Sequence, residues 1–133
     1  MSFQFPIRVY WEDTDAGGIV FYANYLKYFE RARTEWLRSL GIGQRELRQT
    51  SGGIFVVGET ALRYHLPARL DDELLVTARV ETAGRASLCL AQEAFRASDH
   101  ALLCDGTIRI GWVDAATLKP ARMPANLLEA LKS

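Results

Sequence analysis

Two carboxylates and two glycines lie close together near the start of this chain. Asp13 and Asp15 precede Gly17 and Gly18, and a long helical pattern begins at Tyr22. The first N–H groups of a helix have no partner within the helix, so they can hold a developing negative charge. A carboxylate in front of such a helix end brings a nucleophile or base next to a group that stabilises an oxyanion.

The two carboxylates have different interpretations. Either can cap a turn, because Asp accepts hydrogen bonds from nearby backbone N–H groups, and from spacing alone this is the more common role. Asp15 is the candidate for attack or for activation of water, and Asp13 is the candidate for holding the loop through backbone hydrogen bonds. Gly17 and Gly18 permit unusual backbone angles, and Gly18 can also let a substrate approach the backbone.

The composition limits what the chain can bind. Its 133 residues suit one domain with a hydrophobic core. Sixteen Lys and Arg residues balance sixteen Asp and Glu residues, so a net charge of zero gives no electrostatic reason to expect nucleic acid or a membrane surface as partner. A neutral protein with an exposed apolar face tends to associate, which favours an oligomer.

The location predicted from the sequence is the cytoplasm, without membrane insertion. The chain has no apolar run long enough to span a membrane, and its first residues lack the pattern of a signal peptide. Cys89 and Cys104 lie in apolar strand patterns, and a hairpin turning at residues 98–100 would place Cys89 nearer Ile110 than Cys104. We therefore interpret them as two reduced core thiols.

The periodicity predicts one strand, a long helix and then four strands. Residues 6–11 alternate between apolar and polar, which is typical of a strand. From Tyr22 the apolar residues recur at three- and four-residue steps, so an amphipathic helix of about five turns should end at Gly41. Short helices are expected at 44–49 and 126–131. The four later strands are predicted at 54–66, 73–82, 86–97 and 102–113, with short breaks that imply antiparallel neighbours.

This order of elements predicts an α+β domain. One helix with a broad apolar stripe needs a sheet to bury it, so we expect a five-stranded antiparallel sheet wrapped around one long central helix. The outer face of the sheet must either be covered or be exposed to solvent, and we expect it to pair with a second subunit.

Several motifs together carry a family resemblance. They are Tyr10, EDTDAGGIV at 12–20, Asn24-Tyr25, ERARTEWL at 30–37 and YHLPARLDD at 64–72. With the order of elements, they resemble the hotdog-fold acyl-CoA thioesterases, and most of all the 4-hydroxybenzoyl-CoA thioesterase family with its bacterial members associated with the Tol–Pal genes. Where many of those Tol–Pal-associated members have His, this chain has Tyr22, as the benzoyl-type enzymes do.

The resemblance implies an activity and its central residues. Asp15 would be the catalytic carboxylate, as nucleophile or general base, and the backbone N–H near Tyr22 would bind the thioester oxygen. The reaction would release a free carboxylic acid and coenzyme A, so coenzyme A is part of the substrate and no cofactor is expected. No metal is expected either, because His65 and His100 have no neighbour at metal-ligand spacing.

Further residues are candidates for substrate contact. The resemblance implies that Phe55, Val56 and Val57 lie near the acyl group and that Arg85 lies near the coenzyme A phosphates. Arg85 follows a glycine between two strands, so a solvated turn is an equal alternative to a guanidinium that grips phosphate. The remaining candidates are Ser87 through its hydroxyl, Gly18 through its backbone, and Asn24, which could equally bond nearby backbone in the first helical turn.

The resemblance also implies a homodimer at least, and a homotetramer as the expected assembly, with sites shared across the dimer interface. Two other functions stay open at this point. The same site could cleave acyl groups from acyl carrier protein, or the chain could be a binding or scaffold protein near the cell envelope with weak catalysis. The sequence leaves the acyl group open between aromatic, short aliphatic and long aliphatic.

Overall fold

A computed structural model describes residues 3–132, and it confirms the predicted sheet around a long helix. The sheet has five antiparallel strands in the order β1-β3-β4-β5-β2. Two short helices accompany the long one. The elements are β1 (Phe3–Arg8), α1 (Asn24–Ser39), α2 (Gln44–Ser51), β2 (Gly53–Tyr64), β3 (Glu73–Ala83), β4 (Ser87–Arg96), β5 (Leu102–Asp114) and α3 (Ala125–Leu131).

The core lies between α1 and the inner face of the sheet. Apolar residues of α1 recur on one stripe, and Phe29 and Ala32 on that stripe are fully buried. Inward-facing side chains of the central strands meet them, including Val76, Leu90 and Ile108. Each large apolar side chain buried in this way stabilises the fold by about 1.5–3 kcal/mol, so the pairing of stripe and sheet face determines the architecture.

The bounds of the elements differ from the sequence prediction by up to three residues, and two of these differences concern the loop before α1. The first strand ends at Arg8 rather than residue 11, because the Asp13 carboxylate accepts the Tyr10 N–H and draws residues 11–13 into a 3₁₀ turn. The long helix begins at Asn24 rather than Tyr22, because Phe21 to Ala23 form a turn in which the Asn24 N–H bonds to the Phe21 carbonyl. Tyr22 therefore lies just outside the helix.

The loops and helices around the sheet lie at its two opposite ends. We call one the Asp72 end, formed by residues 65–72 and 97–101, and the other the Arg85 end, formed by residues 84–86 and 115–119. The Val9 N–H bonds to the Asp72 carbonyl at 2.9 Å, so the chain after β1 enters its long loop at the Asp72 end. The C-terminal end of α1, with α2 and the start of β2, lies towards the Arg85 end.

The two edges of the sheet are also unequal. β1 is a six-residue strand containing Pro6, which cannot donate a ladder hydrogen bond. β2 is twelve residues long, has β5 as its one neighbour, and carries a register shift between Val57 and Glu59. The Val57 side chain is 53% exposed.

Within residues 3–132, none of the helices has the length and apolar character that a membrane span needs.

Both cysteines are free thiols, as expected, but Cys89 is only partly buried and so is not the core thiol that the sequence predicted. Cys89 pairs with Arg109, one position from the Leu88–Ile110 pair, so it lies far along the hairpin from Cys104. Cys104 is buried, and burial raises the pKa of its thiol to about 12.

Two glycines of β5 give a matched test of packing. A Cβ at Gly106 would collide with the Ala61 carbonyl oxygen, whereas a Cβ at Gly111 has ordinary contact with the Ala86 carbonyl oxygen at 3.9 Å. We expect Gly106→Ala to lower the free energy of unfolding by about 1–3 kcal/mol, and Gly111→Ala to change it by no more than about 0.5 kcal/mol. Urea unfolding followed by circular dichroism measures both, and equal losses would contradict the register of β2 and β5.

Candidate active site

Asp13 is the residue around which the loop before α1 is built. It is buried, and its carboxylate accepts the Tyr10 N–H at 2.8 Å. Its carbonyl accepts two further bonds, from the Phe21 N–H at 2.9 Å and from Asn24 Nδ2 at 2.8 Å. The three donors come from before the loop, from its end and from the helix, so Asp13 fixes these parts relative to one another.

Tyr28 lies beneath this loop on α1. Its side chain is fully buried, and its hydroxyl makes no hydrogen bond of good geometry with the residues that the structure describes. Burial raises the pKa of Tyr28, and the neighbouring Asp13 carboxylate raises it further. The Tyr28 hydroxyl therefore stays protonated under the loop.

Asp15 lies in a tight turn with one carboxylate oxygen occupied. The Asp15 N–H bonds to the Ile19 carbonyl at 2.9 Å, and the Gly18 N–H bonds to the Asp15 carbonyl at 3.0 Å. Gly18 adopts a φ of +77°, which favours glycine. Asp15 Oδ1 accepts the Gly17 N–H at 2.8 Å, while Oδ2 has no hydrogen bond within residues 3–132. The side chain is exposed, so Oδ2 is available to a substrate or a water molecule.

Tyr22 supplies an unused backbone donor close to this turn. The Thr14–Val20 bridge closes the turn and returns the chain to the side of Asp13. The Phe21 N–H bonds to Asp13 and the Asn24 N–H bonds to Phe21, but the Tyr22 N–H between them has no partner in the described part of the chain. An unpaired N–H in front of a helix can bind the oxygen of a polarised carbonyl.

A second loop, which contains Ala68 and Arg69, is bonded to this turn. The Val20 N–H bonds to the Ala68 carbonyl at 2.8 Å, and Ile19 forms a bridge with Arg69. Arg96, from the end of β4, donates to the Pro67 carbonyl at 2.8 Å and so anchors this second loop to the sheet. Arg96 also pairs with Asp72 and Asp99. Its bond to this loop goes to a backbone carbonyl 29 residues away, which no side-chain pattern in the sequence reveals.

A cleft of about 300 Å³ opens beside Tyr22. Its lining is mostly apolar, and the Tyr64 hydroxyl at its wall donates to the Tyr22 carbonyl at 3.1 Å. The lining residues are Ile19, Val20, Tyr22, Tyr25, Tyr64, His65, Leu66 and Pro67. A larger cavity of about 520 Å³ lies between α2 and α3, towards the Arg85 end and away from Asp15.

Four of the predicted site residues meet at the Asp72 end of the molecule. Asp15, Gly18 and Tyr22 belong to the turn, and Asn24 begins the helix. Asn24 uses Nδ2 to hold the Asp13 carbonyl, while its Oδ1 has no hydrogen bond within residues 3–132.

The predicted acyl-contacting residues lie in a different cleft. Phe55, Val56 and Val57, on β2, line a cleft of about 420 Å³ against α1. Arg33 lines the same cleft and donates to Gln92 Oε1 at 3.0 Å, and burial lowers the pKa of Arg33.

Arg85 and Ser87 lie at the Arg85 end, where Arg85 is exposed in the turn between β3 and β4. The eleven residues of β3 run from the Asp72 end to the Arg85 end, which corresponds to roughly 35 Å. Within one chain, therefore, Arg85 is not part of the Asp15 site.

The histidines do not form a metal-binding cluster. His65 Nε2 lies 2.8 Å from Asp105 Oδ1 on β5, a pair that the sequence did not predict. His100 stacks on Phe95. In the stretch from Phe3 to Lys132, no three His, Cys, Asp or Glu side chains are grouped so that they could hold a metal ion.

Known proteins resemble this chain over nearly its whole length. The sequence model of the Thioesterase-like superfamily matches residues 9–131. An acyl-CoA thioesterase of Haemophilus influenzae, YbgC, is 41% identical over 129 residues, which cover 97% of this chain and 93% of that protein. The acyl-CoA thioester hydrolase YbgC of Escherichia coli O157:H7 is 37% identical over 130 residues, which cover 98% of this chain and 96% of that protein.

The fold is also found among solved structures. A 1,4-dihydroxy-2-naphthoyl-CoA thioesterase from Synechocystis superposes with a TM-score of 0.89. The match covers 98% of this chain and 96% of that chain, at 22% sequence identity. At this identity the likeness concerns the fold alone, and it confirms the hotdog fold.

Asp13 can be tested through stability. Asp13→Ala removes the acceptor of the Tyr10 N–H, and we expect it to lower the free energy of unfolding by about 1–3 kcal/mol. Asp13→Asn keeps an acceptor oxygen and should lose less. Urea unfolding measures both losses, and an unchanged stability of Asp13→Ala would contradict this role.

Proposed function

Because this chain belongs to the thioesterase-like superfamily, we propose that it is an acyl-CoA thioesterase in which Asp15 carries the chemistry. It hydrolyses the thioester of an acyl-CoA to a free carboxylic acid and coenzyme A. One juxtaposition carries the assignment of residues: Asp15 Oδ2 and the Tyr22 N–H are both unused by the described chain, and they belong to the same hydrogen-bonded loop.

The loop contains both groups that the reaction needs, the carboxylate of Asp15 and the N–H donor that binds the thioester oxygen. The thioester oxygen binds at the Tyr22 N–H, which stabilises the negative charge that forms on that oxygen when the carbonyl carbon is attacked. Gly18 leaves the approach open, since a Cβ placed there would meet no atom within 4 Å. Asn24 Oδ1, which has no hydrogen bond within residues 3–132, is a further polar atom at the helix start that can contact the substrate.

Two routes use the same oxygen of Asp15. As nucleophile, Oδ2 forms a bond to the carbonyl carbon, the C–S bond breaks, coenzyme A leaves as thiolate, and water then hydrolyses the mixed anhydride. As general base, Oδ2 takes a proton from water, the resulting hydroxide attacks the carbonyl carbon, and coenzyme A again leaves with the electrons of the C–S bond. Neither route calls for a metal or another cofactor, because coenzyme A is itself part of the substrate.

Asp15→Asn tests the proposed chemistry. The amide can still accept the Gly17 N–H, so the variant should fold with unchanged stability, but we expect kcat to fall by about 10²- to 10⁴-fold. The assay offers short aliphatic, long aliphatic and aromatic acyl-CoAs and measures the thiol released. Glu12→Gln, which removes an exposed carboxylate three residues away, is the matched control and should retain activity. Full activity of Asp15→Asn would refute the mechanism.

We propose a homodimer formed through the edge of β2. That strand is long and has a neighbour on one side only, and an antiparallel pairing with the same strand of a second copy satisfies its outward backbone groups. Because such pairing reverses the strand direction, the Arg85 end of one copy would lie beside the Asp72 end of the other. Residues 55–57 and Arg85 of one copy would then approach Asp15 of the partner, with Ser87 next to Arg85.

A homotetramer of two such dimers is our proposal for the complete assembly. The outer face of the sheet carries both signs of charge across neighbouring strands, which suits packing against an identical face. These side chains are Arg63, Arg79, Glu93 and Asp105. The proposed compartment is the cytoplasm, where free thiols such as Cys89 and Cys104 persist.

Arg85 provides a test of both the carrier and the shared site. A guanidinium that grips the phosphates of coenzyme A would be of no use to a substrate on acyl carrier protein, which has no adenosine phosphate groups. We therefore expect Arg85→Ala to lower kcat/KM for acyl-CoA about tenfold or more while sparing carrier-bound substrate. An equal loss for both carriers would argue against phosphate recognition by Arg85.

Dimers that combine the two variant subunits test whether the site is shared between subunits. Neither Asp15→Asn nor Arg85→Ala alone should be efficient with acyl-CoA, but a dimer that combines them contains one site with both native residues. Unfolding and refolding an equal mixture should restore about a quarter of the parent activity. No recovery above the average of the two variants would contradict a site shared in this way.

A further inference from the structure

The Tyr64 hydroxyl is bonded to the residue that supplies the proposed oxyanion donor. It donates to the Tyr22 carbonyl at 3.1 Å, across 42 residues of sequence. The same carbonyl receives the Tyr25 N–H of α1 at 3.4 Å, a longer contact. We propose that Tyr64 is a positioning residue of the thioesterase, which holds the peptide group after Tyr22 and so, through the Tyr22 Cα atom, limits the directions open to the Tyr22 N–H. This inference rests on the proposed function, because it concerns the same amide.

The sheet places Tyr64 for this role. Tyr64 is the last residue of β2 and pairs with Cys104 on β5, at the Asp72 end. Its ring contacts Tyr22 edge-on, with ring centres 6.1 Å apart, and also contacts Tyr25 at 5.7 Å. These contacts hold the phenol over the start of α1. Burial raises the pKa of Tyr64, so the hydroxyl retains the proton that it donates.

Tyr22 is held by a carbonyl on each side of its Cα atom. The preceding peptide group carries the Tyr22 N–H, and its oxygen, that of Phe21, accepts the Asn24 N–H at 2.8 Å. The following peptide group is held through the Tyr22 oxygen by Tyr64. With both peptide planes fixed, the Tyr22 N–H keeps one direction before substrate arrives. A donor oriented in advance stabilises the transition state without reorganising during the reaction.

A different role for Tyr64 is that of a passive wall of the 300 Å³ cleft beside Tyr22. The two roles use different atoms, since the wall is the ring and the positioning group is the hydroxyl. Tyr64→Phe removes only the hydroxyl and therefore separates them. Thr50→Val is a matched control, because it removes a hydroxyl that donates to a carbonyl at 3.1 Å in α2, away from the site.

The expected result for Tyr64→Phe is a selective loss of kcat. We expect kcat to fall about 3- to 10-fold, the effect of one neutral hydrogen bond. KM should be unchanged. The melting temperature of Tyr64→Phe should be the same as that of Thr50→Val. An unchanged kcat would overturn the proposal. So would a rise in KM with kcat intact, which is the signature of the wall role.

Ligand binding adds a readout that a structural effect would not reproduce. A trifluoromethyl ketone analogue of acyl-CoA, which forms a tetrahedral adduct, should bind Tyr64→Phe more weakly by the same factor as the loss in kcat/KM. Binding of coenzyme A alone should be unchanged. Equal weakening of both ligands would contradict positioning of the oxyanion donor.

NMR relaxation tests the inference without turnover. In the substrate-free protein, the order parameter of the Tyr22 amide should fall in Tyr64→Phe and stay unchanged in Thr50→Val. An unaltered Tyr22 order parameter in Tyr64→Phe would overturn the positioning role. Failure of the proposed function looks different, because the parent protein would then hydrolyse no acyl-CoA while the relaxation result still stands.

Discussion

Asp13 accepts hydrogen bonds from three parts of the chain that would otherwise move independently. Tyr10 at the exit of β1, Phe21 at the end of the loop and Asn24 at the start of α1 all donate to it. A buried acceptor that lacks a hydrogen-bond donor destabilises the fold, so the folded chain must keep each of these bonds. The position of Asp15 follows from this constraint, because its turn is closed between the segments that Asp13 fixes.

The fold was predictable from the sequence wherever one periodicity governed a long segment. The stripe on α1 and the alternation along β3 to β5 gave the elements and their order, since burial of one face leaves little freedom of register. The errors lie where a local hydrogen bond, to a side chain or within a turn, uses the backbone groups instead. Asp13 ends β1 early by binding the Tyr10 N–H, and the turn before Asn24 delays the helix. Periodicity carries no information about such local competition.

The candidate site was predictable only in the part that is local in sequence. Asp15, Gly18 and Tyr22 lie within eight residues, so a motif could name them together. Tyr64 and Arg96 join the site through backbone carbonyls of distant loops, for which no spacing rule exists. Arg85 depends on a further level, because it would reach the Asp15 site only in the antiparallel dimer that we propose.

The burial of Cys104 has a consequence for an enzyme that liberates a thiol at every turnover. Exchange between sulfur atoms requires a thiolate, and the raised pKa keeps Cys104 protonated at neutral pH. A disulfide of coenzyme A would therefore meet no thiolate at Cys104, although Cys104 pairs with Tyr64 on the neighbouring strand. Cys104 is thus protected from exchange with a disulfide formed by oxidation of the released coenzyme A.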